Sequence, residues 1–132
     1  VGGCIVSDKW ISVEGWVYEC VVAPLDARSA IYYETSSLPT GCAVMPVEGA
    51  YLMIYEGNDL ETQVQEAPDL QRVLARSDAN GHIDYIGAAP SGEYEIGIQV
   101  GKAGYQIASI IVDDPPDDAN GIHDILVLLV RE

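Results

Sequence analysis

The stretch Arg76–Tyr105, RSDANGHIDYIGAAPSGEYEIGIQVGKAGY, decides the fold because three turn signals in it separate runs of β-prone residues. Asn80-Gly81 predicts a two-residue type I′ turn, since Asn and Gly best tolerate the positive φ angles that this turn needs. We therefore predict that residues 71–77 pair with residues 82–86 in a β-hairpin.

A second strand is predicted between the turn signals at residues 90–92 and 102–104. One face of this strand carries Tyr94, Ile96, Ile98 and Val100, and the other carries Glu93, Glu95, Gly97 and Gln99. This alternation is typical of an antiparallel strand with one buried and one solvated face. The whole stretch is then a β-meander.

Further strands are predicted on either side. Residues 11–18 alternate between small or apolar and larger or polar side chains, and residues 50–56 (AYLMIYE) are apolar or aromatic apart from Glu56. Residues 107–112 and 125–130 are apolar on both faces, so we expect either the segment 20–42 or a neighbouring subunit to cover them. Residues 58–68 are predicted to form a loop, with one helical turn as the alternative because Leu60 and Val64 have helical spacing.

These residues also carry a family resemblance. Ser77–Gly81 (S-D-A-N-G), the later P-x-G-x-Y and G-Y, and Pro46–Ala50 (P-V-E-G-A) together resemble the carboxypeptidase regulatory-like domain. The resemblance covers roughly Ser12–Gly15 and Pro46 to the last residue. It implies an all-β fold: a Greek-key antiparallel β-sandwich, transthyretin-like or Ig-like, of about seven strands. A long insertion, residues 20–42, follows the first strand.

Length and charge limit the classes of function. The 132 residues fit one domain, 1–132, with residues 1–10 as an N-terminal extension. With 21 acidic and 6 basic residues the net charge is −15, which disfavours nucleic acid and anionic membranes as partners. No apolar run reaches the length of about 18 residues that a membrane span needs. The first residue is Val, so the chain is either processed or trimmed; if a signal peptide was removed, we expect an exported protein, extracellular or at the cell surface.

Three cysteines bear on that expectation. Cys20 and Cys42 stand at the two ends of the insertion, and a disulfide between them would contribute about 3 kcal/mol. The alternative is a pair of buried free thiols in a cytosolic protein. Cys4 is then free, bonded to another chain, or lipidated, since the small residues before it loosely resemble a lipoprotein processing site.

One loop is a candidate calcium site. It carries Asp113, Asp114, Asp117, Asp118 and Asn120. Clustered carboxylate and amide oxygens suit Ca²⁺, although two prolines among them also fit a plain exposed linker. No cofactor is required by any motif. His82 and His123 lack ligand-like spacing and are predicted to be strand-surface residues.

The sequence favours a binding or structural role over catalysis. No G-x-S-x-G elbow or G-x-G-x-x-G fingerprint is present, so we expect no enzyme. The leading hypothesis is a non-catalytic module that self-associates into an extracellular assembly, such as a filament, with calcium between acidic subunits. The alternative is a glycan- or peptide-binding accessory domain. Candidate interface residues are Trp10, Trp16, Tyr18, Tyr32, Tyr33, Leu126, Leu128 and Val130.

Overall fold

The computed structural model describes residues 10–21, 27–33, 43–55, 59–66, 69–88, 95–113 and 122–132. The elements in these ranges are β1 (Trp10–Cys20), β2 (Ala30–Tyr32), β3 (Val44–Pro46), β4 (Tyr51–Tyr55), α1 (Leu60–Gln63), a 3₁₀ turn (Leu70–Arg72), β5 (Ala75–Arg76), β6 (His82–Ala88), β7 (Glu95–Gly101), β8 (Ala108–Asp113) and β9 (Ile122–Leu129). Neither of the two short helices in this part of the chain has the length and apolar character to cross a membrane.

The strands form two sheets. The first has the order β2-β9-β1-β3, and β6 also pairs with β1; the second has the order β5-β4-β7-β8. Apolar side chains from both sheets meet in one core, among them Val13, Val17, Ile83, Ile98 and Leu129. Burial of these alternating residues is the main source of stability. The predicted all-β class is confirmed.

The sequence predicted antiparallel strand pairs throughout, but one pair in the first sheet is parallel. β9 runs parallel to β1, and between Val13 and Gly15 the register shifts because β9 contains one extra residue. A Cβ atom on Gly15 would lie 2.1 Å from the carbonyl oxygen of Ile125, so only glycine allows the two backbones to approach this closely. Continuous apolar runs such as that in β9 are typical of strands buried between neighbours on both sides.

The Asn80-Gly81 turn forms, but with different geometry. The Gly81 N–H donates to the Asp78 carbonyl over 2.9 Å, and the Asp78 N–H donates to the His82 carbonyl over 2.9 Å. Gly81 has a φ of 81°, whereas Asn80 is not among the residues with positive φ. Ala79 and Asn80 are therefore the central residues of a type I turn, and Gly81 follows in the left-handed conformation.

This turn connects the two sheets, so the predicted pairing of residues 71–77 with residues 82–86 is wrong. β5 pairs with β4, and β6 pairs with β1. The buried Ser77 explains the separation. Its hydroxyl donates to the Val47 carbonyl and accepts from the Ala50 N–H, which ties the chain before the turn to the second sheet.

β7 is buried on both faces and not on one, because helix α1 lies on its outer face. Residues Ile96–Gly101 are all buried. A Cβ atom on Gly97 would lie 2.4 Å from a methyl group of Val64, and Leu60 is also in contact range. The helical alternative for residues 58–68 is thus correct, and the spacing of Leu60 and Val64 reflects their packing against the sheet.

Two of the outward-facing apolar residues at the end of β9 are buried within the single chain. Leu128 and Val130 are each 6% exposed. β2, which belongs to the predicted insertion 20–42, pairs antiparallel with β9 as the edge strand of the first sheet. Burial of these two residues therefore needs no second subunit.

Candidate interaction surface

A row of four side chains crosses the outer face of the first sheet. Tyr32, Leu126, Trp16 and His82 are successive cross-strand neighbours on β2, β9, β1 and β6. The residues next to them along each strand point into the core, so these four point outward. Adjacent strands lie about 4.8 Å apart, so this aromatic row is about 14 Å long.

The end of the aromatic row combines apolar and polar groups. Trp16 is 36% exposed, and its ring centroid lies 4.7 Å from that of His82 at an interplanar angle of 52°. The Nε2 atom of His82 lies 2.9 Å from a carboxylate oxygen of Glu14. This contact fixes the imidazole beside the indole. The surface therefore offers a flat aromatic face beside hydrogen-bonding groups.

Exposed apolar side chains surround the aromatic row. Ile86 lies on the same face of β6 as His82, four residues along the strand, and is 66% exposed, and Val44 on β3 is 39% exposed. Tyr18 on β1 and the buried Leu128 on β9 form the next cross-strand pair on this face, two residues along from Trp16 and Leu126. The structure thus brings together residues that the sequence predicted from three separate segments.

The remaining predicted interface residues lie elsewhere. Tyr33 packs against the core cluster, and Val130 is buried, with its N–H donating to the Ser29 hydroxyl over 2.8 Å. The side chain of Trp10 lies outside the described residues. The accessible surface therefore centres on Trp16.

The predicted calcium loop falls largely outside the described part of the chain. Asp113 ends β8. Its side chain and the residues Asp114, Asp117, Asp118 and Asn120 lie outside the described ranges, as does the side chain of His123. Within those ranges no group of three or more His, Cys, Asp or Glu side chains is placed to hold a metal ion. The calcium site stays a prediction.

Cys20 ends β1 and is 8% exposed. Cys42, its predicted partner, and Cys4 lie outside the described residues. The Cys20–Cys42 pairing and the state of Cys4 therefore also stay predictions.

A polar contact joins the end of β1 to the last residues of the chain. The Arg131 guanidinium donates to the Glu19 carboxylate over 3.0 Å, and the Tyr105 hydroxyl donates to it over 2.9 Å. Hydrogen bonding to Arg131 lowers the pKa of Glu19, while burial opposes this effect and Tyr105 adds to it. The Arg131 guanidinium carbon also lies 5.3 Å from the ring centroid of Tyr105.

The sequence did not predict a cavity on the outer face of the second sheet. It has a volume of about 560 Å³, and Tyr51, Arg76 and Lys102 are among the residues that line it. These residues come from three separate segments that form no motif. Only strand pairing places them together.

The chain was also compared with known proteins. It matches no protein-family model, no curated protein and no solved structure. Its resemblance to the carboxypeptidase regulatory-like domain therefore rests on its own residues.

Proposed function

We propose that the chain is a non-catalytic interaction module that self-associates through the outer face of the first sheet. The observation that carries the proposal is the aromatic row, Tyr32, Leu126, Trp16 and His82, with the exposed Ile86 beside it. Aromatic side chains in the centre of an apolar patch contribute most of the binding energy in protein interfaces.

The distribution of exposed apolar side chains supports this face over others. Among the described residues seven large apolar side chains are exposed, and by strand alternation Trp16, Val44 and Ile86 lie on the outer face of the first sheet. Val21 and Met45 lie at the end of the same sheet with the opposite alternation. Only Leu70 and Leu74 belong to the segment beside the second sheet. A surface patch of this kind is typical of a protein contact.

The negative net charge of the chain affects how a second copy would bind. Two chains of net charge −15 repel each other, so association needs salt or a bridging cation. The predicted calcium loop supplies such a bridge in this proposal, and Cys4 supplies a covalent link between chains. The exported location, the Greek-key transthyretin-like sandwich and the Cys20–Cys42 disulfide belong to the same proposal and rest on the sequence.

Analytical ultracentrifugation over a concentration series tests self-association, with calcium or chelator and with or without reductant. We expect a reversible oligomer whose dissociation constant rises about 30-fold in Trp16→Ser, since a central Trp contributes about 2 kcal/mol. Leu74→Ser, which alters an exposed leucine outside the first sheet, is the matched control and should leave the constant unchanged. A monomer under every condition, or equal effects of the two substitutions, would refute the proposal.

A glycan- or peptide-binding role is the second candidate, and the contact of Trp16 with His82 and Glu14 favours it. Sugars stack on aromatic rings while neighbouring polar groups take their hydroxyls. Screening of the protein on a carbohydrate array and on a peptide array tests this role. Saturable binding by the monomer that disappears in Trp16→Ala, with retained folding, would support it, and absence of binding to any glycan or peptide would exclude it.

A further inference from the structure

The cavity on the outer face of the second sheet lies beyond the part of that face that helix α1 covers. Helix α1 covers Gly97 and Gln99 farther along the sheet. Beyond it, Tyr51 on β4 lies between Arg76 on β5 and Gly101 on β7. Leu70 from the 3₁₀ turn and Tyr105 from the β7–β8 connection complete much of the apolar wall. A volume of about 560 Å³ is in the range of small-molecule sites.

Two cations line this cavity in a strongly acidic protein. The Lys102 ammonium donates to the Glu48 carbonyl over 2.8 Å, and the Arg76 guanidinium donates to the Gly49 carbonyl over 3.2 Å. Neither forms a salt bridge with any carboxylate in the described ranges, in contrast to Arg131, which binds Glu19. Both retain N–H donors beyond these backbone contacts.

The other polar groups of the cavity are few. Glu132 also lines it, so the side chains named here carry two positive charges and one negative charge. Tyr51 also lines the cavity; it is only 5% exposed, and its hydroxyl can donate a hydrogen bond to a molecule in the cavity. This hydroxyl lies against Gly101, where an added Cβ would come within 2.4 Å of it.

The hydroxyl of Tyr51 is suited to donate a hydrogen bond. Burial raises the pKa of Tyr51 to about 12, and the neighbouring Tyr55 adds to the shift. Tyr51 therefore stays protonated at any physiological pH.

We infer that this cavity binds a small organic carboxylate with an apolar body, whose carboxylate accepts hydrogen bonds from Arg76, Lys102 and the Tyr51 hydroxyl. The apolar body would lie against Leu70 and Tyr105. A charge-assisted hydrogen bond is stronger than a neutral one, and Arg offers two parallel donors to a carboxylate. The single negative charge that the cavity can balance excludes a dianion of similar size.

NMR titration of the full chain with 4-phenylbutyrate tests the inference. The matched ligands are 4-phenylbutanol, which has the same body and no charge, and 4-phenylbutylamine, which is cationic. We expect saturable shifts at Gly49 and Gly101 with a Kd of about 1 mM for the carboxylate, which is reasonable for so small a ligand. The alcohol should bind about tenfold more weakly and the amine should not bind.

Charge-removing variants locate the site. Arg76→Gln and Lys102→Gln should each weaken binding of 4-phenylbutyrate about tenfold. Arg72→Gln makes the same change of net charge outside the cavity lining and should leave Kd within about twofold. Tyr51→Phe should weaken binding without changing the fold, as the amide spectrum would show.

Three results would overturn the inference: no saturable shift up to about 10 mM, equal binding of the carboxylate and the alcohol, or equal effects of Arg72→Gln and Arg76→Gln. The aromatic row on the first sheet takes no part in this site. Trp16→Ser should therefore leave binding of 4-phenylbutyrate intact, so failure of the proposed self-association and failure of this inference are separate results.

Discussion

Replacement of Gln99 by Leu would test whether one buried side-chain amide holds helix α1 against the outer face of the second sheet. Gln99 is fully buried. Its Nε2 atom donates to the Val64 carbonyl over 2.9 Å and to the Glu66 carbonyl over 2.8 Å, and its Oε1 atom accepts from the Tyr55 hydroxyl over 3.2 Å. Leu is similar in size but can form none of these bonds.

The expected change in the free energy of unfolding follows from the hydrogen bonds that Gln99 and its partners lose. Two donated hydrogen bonds contribute about 1 kcal/mol each in net terms, and a buried carbonyl left without this partner costs about 1–3 kcal/mol. The Val64 contact is buried, whereas the Glu66 carbonyl and the Tyr55 hydroxyl are partly exposed and can turn to water. Apolar contacts of the new Leu offset part of the loss. We expect Gln99→Leu to lower the free energy of unfolding by about 2–4 kcal/mol.

Urea unfolding followed by tryptophan fluorescence measures the loss, and hydrogen exchange at residues 60–66 locates it. Exchange in this segment should accelerate more than exchange in β1, because the amide anchors the segment that carries helix α1. Tyr55→Phe is the matched control. It removes the hydrogen bond to Oε1 and a weak one to the Met53 sulfur over 3.7 Å, leaves both bonds donated by Gln99 in place, and should cost about 1 kcal/mol or less.

A loss below about 1 kcal/mol in Gln99→Leu with an unchanged m-value would refute the reasoning. It would mean that packing of Leu60 and Val64 against Gly97 holds the helix on the sheet without the amide. Uniform acceleration of exchange across the chain would instead show that helix and sheet unfold as one unit.

Two further predictions concern the first sheet. Gly15→Ala should lower the free energy of unfolding by more than about 3 kcal/mol, because the new Cβ would meet the backbone of Ile125 and force β1 and β9 apart; a urea midpoint close to that of the wild type would contradict this. Acid should remove the contribution of Glu19, whose pKa Arg131 holds below its ordinary value of 4.5. This contribution is complete above about pH 4.5 and is lost as the pH falls through the lowered pKa of the folded state. Glu19→Gln should therefore lose less stability than the wild type between about pH 6 and about pH 3, and parallel losses would show that the contact does not depend on charge.

Much of the fold could be predicted from local sequence signals. The positions of most strands and the turn at Asn80-Gly81 follow from apolar runs and turn-forming residues. The sequence also singled out Trp16 from the alternation of residues 11–18, Tyr32 from its place in the insertion, and Leu126 from a run that is apolar on both faces. Partners of the strands were harder to predict. Residues 71–77 pair with β4 and not across the turn, since Ser77 binds backbone groups near residue 50.

The sequence by itself determined most of the segments that become strands and which of their side chains face the core, because both depend on the two-residue period of an extended chain. Tertiary structure decided which strands are neighbours, and therefore which side chains lie together on the outer face of each sheet. The parallel approach of β9 to β1, the burial of Gln99 beneath helix α1 and the meeting of Tyr51, Arg76 and Lys102 in one cavity all join residues far apart in the chain. Such contacts cannot be predicted from a local sequence pattern, because each depends on the packing of the complete chain around one core.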